Sequence, residues 1–157
     1  MPLKIFIHGL ESSNQGTKSI FFKKRYPDMI IPNFRGSLPE RMDKLRGLLS
    51  GKSSISLVGS SFGGLMATLF AAESGPRVKR MVLLAPALNL LEHAPVEEKE
   101  ISIPVWVYHG ENDAVIPLKE VETVAKRIFT NLFFHRVEDD HFLHKTFKTI
   151  DWDGFLS

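Results

Sequence analysis

Six short apolar runs, separated by longer and more polar stretches, constrain this chain more than any other feature: Leu3–His8, Asp28–Pro32, Ile55–Ser60, Val78–Ala85, Val105–His109 and Leu132–Val137. Each is rich in Ile, Val, Leu or Phe and is closed by Gly, Pro or an acidic loop. Continuous apolar runs of this length fit strands buried on both faces of a parallel sheet. Helical spacing fills the gaps. Leu38, Met42, Leu45, Leu48 and Leu49 mark a helix over Leu38–Leu49. Gly63–Glu73 is apolar nearly all round, with Ala67, Ala71 and Ala72 permitting close packing. Leu118–Phe129 puts Val121, Val124, Ala125 and Ile128 on one face, and Pro117 suits its start. A last helix is expected between Phe142 and Trp152. Parallel strands need crossover connections, so the alternation predicts an α/β fold. The expected architecture is a doubly wound, mostly parallel sheet of about six strands with helices on both faces.

The 157 residues suit one core, and no repeat or linker divides them, so 1–157 is expected to form one domain. The segment Leu88–Ile101 is the most irregular, with acidic Glu97, Glu98 and Glu100. A net charge of +2 is too small for a phosphate-binding surface, which argues against a nucleic-acid partner. Lys23-Lys24-Arg25 is the only basic triplet and reads as a solvated helix end. With no cysteine, disulfides, a thiol nucleophile and cysteine metal sites are excluded. Met81–Leu91, the most apolar stretch, is interrupted by Pro86 and Asn89 and is too short to span a membrane. No secretory leader pattern opens the chain. A cytoplasmic protein is therefore expected. Neither a P-loop nor GxGxxG is present, which weakens a nucleotide-binding reading.

Gly59-Ser60-Ser61-Phe62-Gly63 fits G-x-S-x-G and sits between an apolar strand and an apolar helix. That context is what a nucleophile turn requires, because the serine must project above the sheet beside a helix N-terminus. Ser61 is the candidate nucleophile; Ser60 is off-centre between the glycines. A serine hydroxyl needs a base, and the base needs a carboxylate to fix its tautomer. Such partners lie in later strand-end loops, in the order Ser, acid, His. The loop Gly110–Pro117 carries Asp113, with Glu111 as competitor. The loop after Val137 carries His141, flanked by turn residues Asp139 and Asp140. His144 reads as solvated or structural, and His93 and His135 as surface or structural. No metal-binding spacing such as HExxH accompanies them. Acyl transfer also needs two backbone donors for the oxyanion. These are expected at Phe62, after the nucleophile, and at Leu10, after His8-Gly9.

Taken together, His8-Gly9, Gly59-x-Ser61-x-Gly63, His109-Gly110-x-x-Asp113-x-x-Ile116-Pro117 and His141 resemble the α/β-hydrolase superfamily, within it the compact, lidless esterase-like proteins. Asn33-Phe34-Arg35-Gly36-Ser37 is similar to the Arg-Gly loop of many members. The resemblance runs from Leu3 to about Phe147. Three departures stand out: no strands ahead of the oxyanion loop, at most a short segment between Pro86 and Pro104 in place of a cap, and a single Gly9 instead of a glycine run. The resemblance implies hydrolysis of a carboxylic ester or thioester through an acyl-serine intermediate, without cofactor or metal. Its partner would be a small-molecule ester or thioester, and the oligomeric state is open. Leu88, Leu90, Ile116 and Phe142 are expected to line an open acyl groove, or to be ordinary core. The competing reading keeps the fold and uses it to bind a ligand or protein without catalysis.

Overall fold

The computed structural model describes residues 3–91 and 100–157. The irregular segment was expected at Leu88–Ile101; His93, Glu97 and Glu98 within it lie outside the described residues. Five strands, β1 (Leu3–Ile7), β2 (Ile55–Ser60), β3 (Val78–Leu84), β4 (Val105–Gly110) and β5 (Leu132–Val137), pair in that order, all parallel. Helices α1 (Thr17–Arg25), α2 (Leu38–Leu48), α3 (Phe62–Ser74), α4 (Leu118–Ile128) and α5 (Trp152–Leu156) complete the α/β architecture.

The expected strand over Asp28–Pro32 is reduced to one bridge, Ile5 with Ile30. Ile30 N–H donates to Lys4 O at 2.9 Å and its carbonyl accepts from Phe6 N–H at 3.0 Å. Pro27 and Pro32 bracket it, and neither has an N–H to extend the ladder. The bridge still marks the topology. The chain leaves β1 toward Ile30, then crosses back through α2 to β2 on the opposite side of β1. The strand order therefore reverses between β1 and β2, the crevice where open α/β sheets bind ligands.

Two apolar layers hold the sheet. On one face α2, α3 and α4 bury Leu45, Leu65, Phe70 and Val124 against Leu57, Leu83 and Val107. A capping box starts α2: Ser37 Oγ accepts from Glu40 N–H while the Glu40 carboxylate accepts from Ser37 N–H. On the other face α1 and α5 bury Phe22 and Trp152 against Phe6 and Val82. Phe22 is the hub, with ring centroids 5.0 Å from Phe6, 4.9 Å from Trp152 and 5.5 Å from Phe147. Burying a side chain of this size contributes about 1.5–3 kcal/mol. The basic triplet ends α1, as its composition suggests.

Two expectations need correction. Strand β5 is not buried on both faces: it is the outer strand, and Phe133 is 46% exposed. Phe133 stacks on Trp106 and His135 stacks on Tyr108, at 5.1 and 4.6 Å. The five-residue α5 reaches only as far as Trp106, through Phe155 at 4.9 Å. The second correction concerns the C-terminal helix, which begins at Trp152 rather than preceding it. Only a 3₁₀ turn, Phe147–Thr149, comes earlier. Asp151 caps the helix by accepting from Gly154 N–H at 3.1 Å, and Trp152 Nε1–H donates back to Phe147 O at 2.9 Å. Among the described residues, no helix is long and apolar enough to cross a membrane.

Candidate active site

Parallel pairing brings the ends of β1, β2, β4 and β5 to one edge of the sheet, so Gly9, Ser61, Asp113 and His141 share that edge. Ser61 stands between β2 and α3 with φ 55° and ψ −118°. A non-glycine residue there is strained, on the order of 1–3 kcal/mol. Four backbone bonds hold it: Ser61 N–H donates to Leu84 O at 2.9 Å, and Ser61 O accepts from Gly64 N–H and Ala87 N–H, each at 2.9 Å, and from Leu65 N–H at 3.4 Å. The flanking glycines are required by contact. A Cβ on Gly63 would lie 2.0 Å from Ile7 O, and one on Gly59 would lie 2.5 Å from Gly63 O. Strand, turn and helix thus touch backbone to backbone.

The loop after β1 lies against this turn; a Cβ on Gly9 would be 3.3 Å from Ser61 Cβ. Leu10 follows at the surface. Among the described residues, neither Leu10 N–H nor Phe62 N–H donates a hydrogen bond. Both N–H groups are therefore unpaired at this edge of the sheet. His8 supports the loop from beneath. Phe34 N–H donates to His8 Nε2 at 2.8 Å, so the ring carries its proton on Nδ1, which donates to Gly9 O at 2.7 Å. Burial holds the His8 pKa below the ordinary histidine value, and the nearby Arg41 and Lys44 charges add to that, against the Gly9 hydrogen bond.

Across the edge, His141 Nδ1–H donates to Asp113 Oδ2 at 2.7 Å. The Asp113 side chain is fully buried and that of His141 nearly so. Asp113 Oδ1 accepts from Val115 N–H and Ile116 N–H, both at 2.8 Å, which fixes the carboxylate plane. With Nδ1 committed, His141 Nε2 is the free lone pair. Asp139 anchors the loop that carries His141: its carboxylate accepts from the N–H groups of Asp140, Lys145 and Thr146 at 2.8–3.0 Å. Burial pushes the Asp139 pKa up, but these hydrogen bonds outweigh it and hold the carboxyl below the usual range. Lys18 Nζ donates to Phe142 O at 2.9 Å and ties α1 to the same loop.

Asp113 and His141 are thus joined directly. Ser61 Oγ has no hydrogen-bond partner among the described residues, so the serine and the histidine are not hydrogen-bonded. Glu111, the rival acid, is exposed. His144 pairs with exposed Asp140 at 2.6 Å. Of the four expected groove residues, Leu88 and Ile116 are buried in the core, because Leu88 packs under α4 and Ile116 folds back toward β4. Leu90 and Phe142 are 54% and 58% exposed. The four do not form one groove. Sequence reasoning missed Lys18 and the supporting roles of His8 and His109. For the two histidines a signal existed: each precedes a glycine at a strand end, His8-Gly9 and His109-Gly110.

Comparison with known proteins gives these features a context. No curated protein matches the sequence significantly. Solved structures share the fold. The esterase Pf2001 of Pyrococcus furiosus superposes with a TM-score of 0.73 at 16% identity, covering 98% of this chain and 79% of its own. Mouse alpha/beta hydrolase domain-containing protein 10 gives 0.71 at 18% identity, covering 90% and 82%. Est1E of Butyrivibrio proteoclasticus, solved with ferulic acid bound, gives 0.70 at 15% identity, covering 90% and 81%. Residues 22–139 match the dienelactone hydrolase family, a span that includes Ser61 and Asp113 and stops just short of His141. With more than half of its length in that match and the fold shared with these structures, the chain is an α/β hydrolase and belongs to the dienelactone hydrolase family.

Proposed function

We propose that this protein is a serine hydrolase that cleaves a carboxylic ester or thioester, with Ser61 as nucleophile, His141 as general base and Asp113 orienting the base. The observation that carries the reading is the 2.7 Å bond from His141 Nδ1–H to the buried Asp113 carboxylate. It joins two loops 28 residues apart and leaves Nε2 free at the edge where Ser61 projects. In this reading Ser61 Oγ attacks the acyl carbon while His141 Nε2 takes its proton. Leu10 N–H and Phe62 N–H hold the oxyanion. The ester bond breaks, and His141 returns the proton to the leaving alcohol or thiol. Water repeats the attack and releases the acid. Leu90 and Phe142, both exposed, are the two groove candidates that we retain for an acyl chain. The family membership and the esterase of the same fold support the reaction class. We read residues 1–157 as one hydrolase domain without a substantial cap, acting in the cytoplasm, in keeping with its lack of cysteine.

A non-catalytic binding protein of the same fold is the second reading, and the absence of a Ser61–His141 hydrogen bond favours it. Against this, such bonds are often long before substrate binds. A fluorophosphonate probe separates the two. The expected result is one covalent adduct on the native chain, lost in Ser61→Ala. Native protein that takes no label, or Ser61→Ala that still takes it, supports the binding reading.

A further inference from the structure

We propose that His109 is a positioning residue for Asp113, a neutral ring on β4 whose N–H anchors the loop at Ile116 and packs against the carboxylate oxygen facing His141. The proposal rests on the reading of Asp113 as the orienting acid. His109 Nε2 lies 2.8 Å from Ile116 O and 3.2 Å from Asp113 Oδ2, and its side chain is completely buried. A carbonyl oxygen can only accept, so Nε2 carries the proton and donates it to Ile116 O, and Asp113 Oδ2 lies beside the same N–H without a hydrogen bond of its own. Asp113 Oδ1 is already occupied by Val115 and Ile116 N–H. Oδ2 is the oxygen that takes His141, and the His109 Nε2–H dipole is its second polar neighbour. Among the described residues these two histidines are the only titratable side chains in contact with the carboxylate.

The rest of the ring argues for a donor rather than a space-filler. His109 Nδ1 is buried without a partner. Packing alone would favour an apolar side chain over a ring that buries an unpaired nitrogen. The same orphan keeps the ring neutral, because a second proton would bury an unmatched N–H. Burial accordingly holds its pKa below the ordinary value, against the Ile116 hydrogen bond and the Asp113 charge. His109 is therefore not a competing base; it is a donor of fixed tautomer. Its location suits the task. Strand β4 is bonded on both sides, to β3 and β5, whereas Asp113 sits in the loop beyond the strand. One side chain ties the end of that loop, at Ile116, to the sheet and packs against its middle, at Asp113.

The test uses the full chain with His109→Phe, which fills the space without donating, and His109→Gln, whose amide reaches the place of Nε2. The first readout is the far-downfield proton resonance of His141 Nδ1–H, assigned by its loss in His141→Ala. It should be sharp in the native protein and in His109→Gln, and broadened or lost in His109→Phe. The second readout is ester turnover. In His109→Phe kcat should fall about tenfold with KM little changed, as expected for a misplaced base, and His109→Gln should recover most of it. Circular dichroism must match the native protein in each case; if His109→Phe does not fold, His109→Met takes its place. The proposal is overturned if the folded apolar variant keeps both the resonance and kcat, if folded His109→Gln loses either, or if the native protein lacks the resonance. Fluorophosphonate labelling keeps the two readings apart. An unlabelled protein that loses the resonance in His109→Phe removes the hydrolase reading and leaves this one standing. A labelled protein indifferent to His109→Phe does the reverse.

Discussion

The Ser61 turn and the Asp113–His141 pair lie on the same edge of the sheet, yet they are held in different ways. The turn is steric. Gly59 and Gly63 bring β2, α3 and β1 into backbone contact, and four backbone bonds hold Ser61 at positive φ. The Asp113–His141 pair is polar. It is assembled from side-chain hydrogen bonds between two loops near the thinly covered β5 edge. A steric device fails when volume is added and takes the fold with it. A polar device can lose function while the fold survives.

The difference can be broken at its steric end first. Gly63→Ala should be the most damaging single change, because its Cβ would meet Ile7 O at 2.0 Å and neither backbone can yield cheaply. A loss of about 3 kcal/mol or more is expected, read as failure to accumulate soluble protein or a large drop in the urea midpoint. At the polar end, His141→Ala should lower kcat by about 10²–10⁴-fold with the urea midpoint nearly unchanged. Its neighbour provides the contrast: His144→Ala should leave turnover at the native level, because His144 pairs with exposed Asp140, lies against the exposed Phe142 ring and makes no bond to Asp113. Equal losses in the two would remove the assignment of His141 as base.

Asp139→Ala sharpens the comparison by touching both properties. It strands three N–H groups, at Asp140, Lys145 and Thr146, and frees the loop carrying His141. A stability loss of about 1.5–3 kcal/mol with a partial fall in kcat is expected from chemical unfolding and steady-state kinetics. The smallest effect is a pH dependence of stability. Burial lowers the pKa of His8 and of His109 from the ordinary value of 6.5. As pH falls below that value the unfolded chain binds protons that the folded chain does not. Stability is therefore fully present above pH 6.5 and declines as pH falls through the window down to the lowered folded values. The urea midpoint should be lower at about pH 5 than at about pH 8, before the carboxylates begin to titrate. An equal midpoint at both would show that these rings are not buried neutral.

The steric half of the site was legible in the sequence because its cause is local. A serine between spaced glycines, after an apolar strand and before an apolar helix, leaves few conformations open. The helices at Leu38, Gly63 and Leu118 were legible for a similar reason, since their apolar periodicity is a property of neighbouring residues. The polar half was legible only as a set of candidates. Glu111 and Asp113 stand in the same loop, and His141 and His144 in the same turn. Nothing in their spacing says which carboxylate meets which ring. Leu88 and Ile116 look like groove residues in the sequence and are core in the fold, because apolar character does not encode which side of a surface a residue occupies.

By itself, then, the sequence determined the strand–helix alternation, the parallel sheet and the Ser61 turn, all of which follow from period and backbone sterics within a few residues. Tertiary structure decided the rest. It reduced the expected second strand to the Ile30 bridge, left β5 half-bare, and joined Asp113 to His141 rather than to their neighbours. It also set His8 and His109 beneath the loops on either side. Each of these depends on a hydrogen bond or a covering element supplied by a distant part of the chain, and such partners exist only once the sheet has brought its loops to one edge.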